Sequence, residues 1–419
     1  MEDFNKAFDY IIVGAGSAGC TLANRLTEDV SRTVLLLEAG GKDSNPWIHI
    51  PVGFVKTLDM PGLNWRFETE PEPNSKNRRI PIPRGRVLGG SSSINGMVYV
   101  RGQPLDYDTW SQLGNRGWSY ESVLPYFSKS ENYESSDEAW RGKNGELVTA
   151  EGREKAELLD VVLDAAEQCG YPKNADYNSG EQEGFGYFQV TQKNGRRWST
   201  AKAFLEPALK RPNLSLEINA HTTGILTDGG RATGVKFEQN GKTRTVTAAK
   251  GVVLCAGAVQ SPQILELSGI GNPNILRQYG IEVVHPLPGV GENYQDHYMV
   301  RQTWEIKKKI TLNEQTRGVS LIREALRYAF TRRGIMTYPA GILAGFVRTR
   351  PEIATPDVQY HIAHASFLDV KKRILDKHPG MTISPCQLRP ESRGSIHIKS
   401  SNPEDQPAIK GNFLADELD

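Results

Sequence analysis

The stretch DYIIVGAGSAGCTLANRLTEDVSRTVLLLE at residues 9–38 decides the fold. Its first apolar run, residues 9–13, has the length of a buried strand, and a helical pattern over 18–26 follows a glycine-rich turn. A second apolar run of strand length occupies residues 34–38. The order strand, glycine turn, helix, strand predicts the start of a doubly wound α/β domain.

Each glycine of the turn has a physical role. Gly14 permits the tight strand-to-helix turn, Gly16 lets the backbone approach a pyrophosphate, and Gly19 lets helix and strand pack closely. Glu38 follows about 20 residues later, where an acid accepts hydrogen bonds from the hydroxyls of an adenosine ribose. These residues predict a dinucleotide site without separating NAD from FAD. The alternative is a structural glycine turn with a solvated Glu38.

The rest of the chain divides into two parts. Residues 155–168 have the apolar spacing of an amphipathic helix. Strand-like runs at 214–218, 224–226, 234–237, 243–247 and 252–254, separated by turn signals, predict an inserted β-meander. Beyond about residue 300 the glycine clusters stop. We therefore predict an α/β fold, with a Rossmann-like domain over 7–300 and a mixed α+β domain over 301–419.

Composition excludes several classes of protein. Fifty Lys and Arg against 49 Asp and Glu give a net charge of +1, which disfavours nucleic-acid binding. The longest apolar runs, such as 252–259, are far shorter than the about 20 residues of a bilayer span, so no transmembrane segment is predicted. The start of the chain lacks a secretory signal, and four scattered cysteines fit a reducing compartment and no metal site. The predicted location is cytoplasmic, with peripheral attachment to an inner membrane left open.

A second glycine cluster, GRVLGGSSSING, occupies residues 85–96. Such a segment can approach a flat ring and a pyrophosphate while offering backbone N–H and hydroxyl donors. As a bare pattern it is also compatible with a flexible loop.

With these residues the chain resembles the glucose–methanol–choline (GMC) oxidoreductases, FAD-dependent enzymes that act on alcohols, and within them the choline-dehydrogenase-like members. The resemblance continues through Tyr99, Gly102 and Asp108. Further segments that resemble family motifs are GAVQSPQILELSGIG at 257–271, GVGENYQDH at 289–297, Asn64-Trp65, Glu70-Pro71, RRWS at 196–199 and PESRG at 390–394. The resemblance to the family covers essentially the whole chain.

The resemblance implies FAD as the cofactor. By position it implies the pyrophosphate at Gly14, Gly16, Ser17, Ala18 and Gly19, the adenosine ribose at Glu38 and Ala39, the ribityl chain beside Arg86, Val87, Gly89, Gly90 and Ser91, and the isoalloxazine ring against Asn95, Gly96, Met97 and Val98. Ala256 is expected close to the nucleotide. Trp65 and Thr222 are either cofactor contacts or core residues. Ile94 stands where some members carry a histidine that binds FAD covalently, so we expect non-covalent FAD.

The same resemblance implies oxidation of the CH–OH group of a primary alcohol, choline-like or another, with hydride transfer to flavin N5. The family's catalytic histidine lies in a segment reading roughly H-x-x-G-T-C-[KR]-M-G, which none of the eight histidines matches before Asp419. We therefore expect a chain truncated at its C-terminus, with no catalytic residue and an incomplete substrate-binding domain. A catalytically incomplete flavin-binding fragment is the alternative. An NAD(P) dehydrogenase is disfavoured by the second glycine cluster.

One candidate for the substrate pocket remains. Residues 356–361 read as a strand, and in choline-oxidising relatives a histidine at the place of His361 faces the substrate, although a structural role is equally open. His297 is expected to be structural. The expected electron acceptor is a quinone or another carrier, with O2 left open.

Overall fold

The computed structural model describes residues 2–3, 7–134, 139–370 and 372–419. The helices in chain order are α1 Ser17–Leu26, α2 Pro46–His49, α3 Phe54–Thr57, α4 Pro104–Gln112, α5 Tyr120–Ser130, α6 Glu157–Gln168, α7 Glu206–Ala208, α8 Gly257–Leu267, α9 Pro273–Gln278, α10 Leu312–Gln315 and α11 Gly318–Thr331. Short 3-10 turns occupy Pro51–Gly53, Pro73–Ser75, Gly90–Ser93 and Ile335–Thr337, and a π-helical turn occupies Ala201–Leu205. Within these ranges, every helix is too short or too polar to cross a bilayer.

The strands are β1 Glu2–Asp3, β2 Phe8–Val13, β3 Val34–Leu37, β4 Phe67–Glu68, β5 Pro81–Ile82, β6 Glu131–Tyr133, β7 Leu147–Glu151, β8 Gly184–Tyr187, β9 Gln189–Val190, β10 Gln192–Lys193, β11 Arg196–Arg197, β12 Leu214–Glu217, β13 His221–Asp228, β14 Arg231–Gln239, β15 Lys242–Leu254, β16 Ile270–Gly271, β17 His285–Pro286, β18 Glu292–Tyr294, β19 Gln302–Glu305, β20 Leu343–Val347, β21 Val358–Ala363, β22 Phe367–Asp369, β23 Ile374–Leu375, β24 Gly380–Gln387, β25 Gly394–His397 and β26 Ala408–Lys410.

The largest sheet carries the predicted α/β unit. Its order is β12-β3-β2-β15-β14-β13, with β1 beside β15. The first four strands are parallel and in register, so that Val13 lies opposite both Leu37 and Leu254. Their residues are apolar on both faces because α1 and Ala201–Ala208 cover one face, while α8 and the antiparallel strands cover the other. This sheet confirms the Rossmann-like α/β fold.

The meander differs from the prediction in two ways. The predicted strands at 243–247 and 252–254 form the single strand β15, whose register shifts between Ala248 and Gly251. That bulge breaks the two-residue alternation, which made one strand look like two. The run at 214–218 is not part of the meander, because β12 pairs in parallel with β3 at the edge of the sheet.

A second, antiparallel sheet has the order β19-β24-β21-β20-β8. Four of its strands lie beyond residue 300. The edge strand β8 comes from much earlier in the chain and pairs with β20, placing Phe185 opposite Gly345. A core of Leu159, Phe185, Leu343 and Ile362 packs between this sheet and α6. The boundary at residue 300 stays a prediction.

A buried ionic cluster ties the middle of the chain together. The Glu131 carboxylate is fully buried and accepts hydrogen bonds from Arg101 Nη2 at 2.6 Å, Arg141 Nη2 at 2.7 Å and Thr149 Oγ1 at 2.8 Å. Burial opposes ionisation of Glu131, but the two guanidinium groups hold its pKa below the usual range. Arg141 also pairs with Asp176 at 2.6 Å. The cluster joins β6, β7 and the loops on either side of them.

Glu131→Gln is expected to lower the free energy of unfolding by about 3–5 kcal/mol, because it removes the charged carboxylate that two buried guanidinium groups share. The measurement is urea unfolding followed by circular dichroism. The control is Glu28→Gln, which removes a half-exposed partner of Arg25 and is expected to change stability by at most about 1 kcal/mol. If both variants lowered the free energy of unfolding equally, the stabilising role of the buried Glu131 cluster would be contradicted.

A histidine between two carboxylates anchors the segment at 289–297. His397 Nδ1 lies 2.7 Å from Glu266 Oε1, its Nε2 lies 3.1 Å from Glu292 Oε1, and Glu266 is fully buried. A Cβ at Gly291 (φ +82°) would lie 2.2 Å from Ile396 O and 2.7 Å from the His397 ring, so only glycine fits there. The Glu266 carboxylate, and more weakly Glu292, raises the pKa of His397.

This raised pKa predicts a loss of stability toward alkaline pH. The contribution of His397 is fully present below the pKa of an unfolded histidine, about 6.5, and is lost as the pH rises through the higher value of the folded protein. Unfolding free energies measured across this window should fall more steeply for the wild type than for His397→Gln. If the unfolding free energies of the two proteins changed in parallel with pH, the stabilising contribution of protonated His397 would be refuted.

Candidate functional site

The first glycine turn has the predicted geometry. Gly14 has φ +97°, and a Cβ there would lie 2.6 Å from Cys255 O. A Cβ at Gly19 would lie 1.8 Å from Gly14 O, so α1 and β2 pack at the distance that glycine permits. A Cβ at Gly16 would lie 4.0 Å from its nearest neighbouring atom, Gly90 Cα. The start of α1, with Ser17 and Ala18 exposed, therefore presents free backbone N–H groups at the ends of the parallel strands.

Glu38 closes this turn from the end of β3. Its carboxylate accepts hydrogen bonds from Ala15 N and Gly40 N, both at 2.8 Å, and the residue is 6% exposed. Burial raises the pKa of Glu38 to about 7, against the effect of these two donors and of Arg86. Each carboxylate oxygen keeps a further acceptor position, so the group can still receive a hydroxyl hydrogen bond.

The second glycine segment lies directly on the first. Gly89 N donates to Ala15 O at 2.8 Å, and Leu88 N donates to Gly41 O at 3.0 Å. A Cβ at Gly90 (φ +52°) would lie 2.7 Å from Gly16 Cα. The two segments, which are far apart in the sequence, therefore meet backbone against backbone.

Other predicted residues contact one another or the first glycine segment. The Arg86 guanidinium lies 4.4 Å from the Trp65 ring centre, and its Nε donates to Ala39 O at 3.4 Å. The Trp65 ring lies 5.5 Å from the ring of His221, the residue that precedes Thr222 in the sequence. Thr222 Oγ1 is buried and has no hydrogen-bond partner among the described residues. Ala256 precedes α8 where Cys255 O approaches Gly14, which adds a second helix start to the same edge.

The segment Asn95 to Val98 is held by a residue that sequence reasoning did not place in the site. Arg197 donates to Asn95 Oδ1 at 2.8 Å, Asn95 O at 2.7 Å, Ser92 O at 3.0 Å and Ile48 O at 2.7 Å. It is 2% exposed, and burial lowers the pKa of its guanidinium to about 9. Its sequence signal is the RRWS segment at 196–199, which indicates the family but not this contact.

Gly96 faces the second part of the molecule. A Cβ at Gly96 would lie 2.2 Å from Ala340 Cβ, and Ala340 N donates to Gly96 O at 3.1 Å. Asn95 and Ala340 are both exposed, whereas Met97 (φ +62°) is fully buried. The backbone of this segment is therefore open on one side and fixed on the other.

His361 approaches the same region from β21. Its ring lies 5.2 Å from the Phe188 ring and close to Gly341, the residue after Ala340. Burial, and to a smaller extent the neighbouring His297 and Arg301, lowers the pKa of His361 to about 4. His361 is therefore neutral at pH 7. His297, expected to be structural, is exposed and near enough to influence His361, which sequence spacing did not reveal.

These residues fit a flavin dinucleotide. Two helix starts leave backbone N–H groups open for a pyrophosphate, Glu38 can accept ribose hydroxyls, and the buried Thr222 hydroxyl has no partner among the described residues. The arrangement defines the class of Rossmann-like dinucleotide-binding proteins.

Comparisons with known proteins identify the family. A family model described as GMC oxidoreductase matches residues 8–299. The oxygen-dependent choline dehydrogenases of Vibrio vulnificus (strain YJ016) and Brucella melitensis biotype 1 are 42% and 40% identical, each over 98% of this chain and 74% of the relative. Among solved structures, pyridoxine 4-oxidase from Mesorbium loti superimposes with a TM-score of 0.88 and 26% sequence identity, over 98% of this chain and 77% of the oxidase chain. A formate oxidase superimposes with a TM-score of 0.90 and 25% identity, over 99% of this chain and 78% of the oxidase chain. The chain belongs to the GMC oxidoreductase family. It is an oxidoreductase with FAD as its cofactor.

Gly90→Ala is expected to weaken FAD binding at least about tenfold, equal to about 1.4 kcal/mol, because the new Cβ would push the two glycine segments apart. The measurement is FAD titration of the apoprotein by flavin fluorescence. Gly229→Ala is the matched control, since Gly229 has φ +54° but an added Cβ there meets open space. Unchanged FAD affinity in Gly90→Ala would contradict the proposed position of the cofactor.

Proposed function

We propose that this protein oxidises the CH–OH group of a small primary alcohol, with FAD bound non-covalently alongside the two glycine segments, which contact each other. The observation that carries the proposal is the backbone contact of Gly16 with Gly90, which precedes the segment Asn95 to Val98 that Ala340 contacts. His361 lies close to Gly341, the residue after Ala340. Two relatives at 42% and 40% identity are choline dehydrogenases, which supports an alcohol substrate.

In this proposal the cofactor contacts are those implied by the family resemblance. Gly14 to Gly19 and the start of α1 bind the pyrophosphate, and Glu38 and Ala39 bind the adenosine ribose. The unpaired hydroxyl of Thr222 donates a hydrogen bond to the cofactor. Ile94, at the place of the covalent histidine in some members, packs in a core cluster with Ile48 and Val87. Arg197 acts as a positioning residue, because it fixes the backbone and side chain of Asn95.

Bound FAD supplies a flavin ring whose N5 accepts the hydride from the carbon that carries the hydroxyl. The alcohol would thereby become an aldehyde, and its hydroxyl proton would pass to solvent water. Neutral His361 accepts a hydrogen bond from the substrate hydroxyl, which the low pKa of its ring permits over the whole physiological pH range. Buried Phe188 provides an apolar wall beside it. A quinone or another carrier takes the electrons, with O2 as the competing acceptor.

Substrate charge separates choline from other alcohols. A quaternary ammonium is bound by aromatic faces and often by a carboxylate. The permanently charged group that lowers the pKa of His361 is Arg301, whose positive charge favours a neutral alcohol over a cation. Relatives named choline dehydrogenases favour choline, so both kinds of alcohol belong in the test.

Anaerobic addition of alcohol to the FAD-loaded chain is expected to bleach the oxidised flavin band. We would titrate choline and an uncharged primary alcohol of similar size separately, and follow the absorbance spectrum. Bleaching identifies an alcohol oxidoreductase and ranks the two substrates. A bound flavin that stays oxidised with both would refute alcohol oxidation, and a folded chain without bound flavin would refute the site.

His361→Asn in the same assay tests the substrate side. Loss of one neutral hydrogen bond, about 0.5–1.5 kcal/mol, should raise the alcohol concentration for half-bleaching by roughly twofold to twelvefold. The FAD spectrum and affinity should stay unchanged. His378→Asn is the control, because His378 is exposed and contacts the carbonyl of its own neighbour Pro379. Equal half-bleaching concentrations in His361→Asn and the wild type would remove His361 from the pocket.

A further inference from the structure

The second sheet brings three polar residues into one row across its strands. His361 in β21 lies opposite Ser384 in β24. On the other side of β24, the register with β19 places Arg301, the residue before that strand, opposite the same Ser384. Side chains directly opposite one another on neighbouring strands share a face of the sheet. Arg301, Ser384 and His361 therefore lie on the face where the His361 ring meets Phe188.

The row changes character beyond His361. It continues with Ala344 in β20 and Gly186 in β8, which offer no polar side chain. Phe188 covers the His361 ring at 5.2 Å. A ligand held by His361 therefore meets a cation on one side and small apolar residues on the other.

The polar side chains of this face are left open. Ser384 is 4% exposed, and Gln359, two residues before His361 on the same face, is 6% exposed. Within the described part of the chain, the side chains of Arg301, Ser384, Gln359 and His361 form neither a hydrogen bond nor an ion pair. Polar groups inside a protein normally find partners, so a group of four without them calls for a ligand.

The charge of Arg301 is not matched by a carboxylate of the described residues. Partial burial and the neighbouring Arg373 lower the pKa of Arg301, although part of its surface stays accessible. The nearby acids are engaged elsewhere, because Asp59 pairs with Arg373 and Asp296 accepts a hydrogen bond from Tyr294 Oη at 3.0 Å. A guanidinium group beside a second cation favours an anionic ligand.

We propose that this face binds an alcohol that also carries a carboxylate, with the carboxylate at Arg301 and the hydroxyl at His361. The guanidinium fork matches a carboxylate, and Ser384 lies between the two ends as a further donor. Arg301 and His361 are two strands, or about 10 Å, apart, since neighbouring strands lie about 4.8 Å from each other. The ligand therefore needs several methylene groups between its two ends. This inference rests on the proposed function and names its substrate class.

The first experiment compares ω-hydroxyhexanoate, hexanediol and choline in the anaerobic bleaching of the FAD-loaded chain. The hydroxy acid is expected to reach half-bleaching at a concentration at least about tenfold below that of the diol, because hydrogen bonds between charged groups are the stronger kind. Choline should need the highest concentration. Bleaching by the diol or by choline at a concentration equal to or below that of the hydroxy acid would overturn the inference and leave alcohol oxidation standing.

Arg301→Gln tests the cation directly. The preference for the hydroxy acid over the diol should fall at least about tenfold, and Arg301→Lys, which keeps the charge but not the fork, should retain part of it. Arg116→Gln is the matched control, because Arg116 is an exposed arginine between α4 and α5. The same preference in Arg301→Gln and the wild type would refute the site.

Calorimetric titration of the FAD-loaded chain separates binding from oxidation. Hexanoate has no hydroxyl, so it reports the anion site alone, and uncharged hexanamide is its control. We expect hexanoate to bind at least about tenfold more tightly than hexanamide, and Arg301→Gln to remove this difference. Binding of hexanoate that depends on Arg301 would support the anion site even if no alcohol bleached the flavin. Equal affinities of the wild type for hexanoate and hexanamide would overturn it.

Discussion

The backbone contact between Gly16 and Gly90 is the constraint on which the rest of the site depends. Gly90 does not tolerate a side chain, because a Cβ there would lie 2.7 Å from Gly16 Cα. The contact joins the turn after β2 to the loop before Asn95, and the hydrogen bond from Gly89 N to Ala15 O locks their register. Residues proposed for the pyrophosphate and residues proposed for the flavin are thereby held in a single rigid arrangement.

Local patterns predicted the parts of the fold that local interactions determine. Helix α1 and strands β2 and β3 follow from apolar spacing and from glycines with a defined steric role. Strand β15 was predicted as two strands, since its bulge between Ala248 and Gly251 depends on pairing with β2 rather than on its own sequence. The cofactor residues came from resemblance to a family, and their individual contacts with FAD stay predictions.

Buried charges were the features that sequence reasoning could not locate. Glu131, Arg101 and Arg141 meet only after the chain has folded, and nothing in their spacing marks them as partners. Arg197 is similar, because its four hydrogen bonds go mainly to backbone carbonyls of distant segments. Such groups are costly to bury unless every donor is satisfied, and this makes them sensitive to small displacements of the loops they join.

Strand β8 has a consequence for synthesis of the chain. It forms the edge of the second sheet by pairing with β20, which is translated about 160 residues later, and at roughly 5–20 residues per second the ribosome needs about 8–30 s to cover that distance. During this interval the apolar side chains of Phe185 and Tyr187 lie on a nascent chain that does not yet contain β20. Chaperone capture of that early strand would therefore have a defined time window, which closes when residues 343–347 leave the exit tunnel.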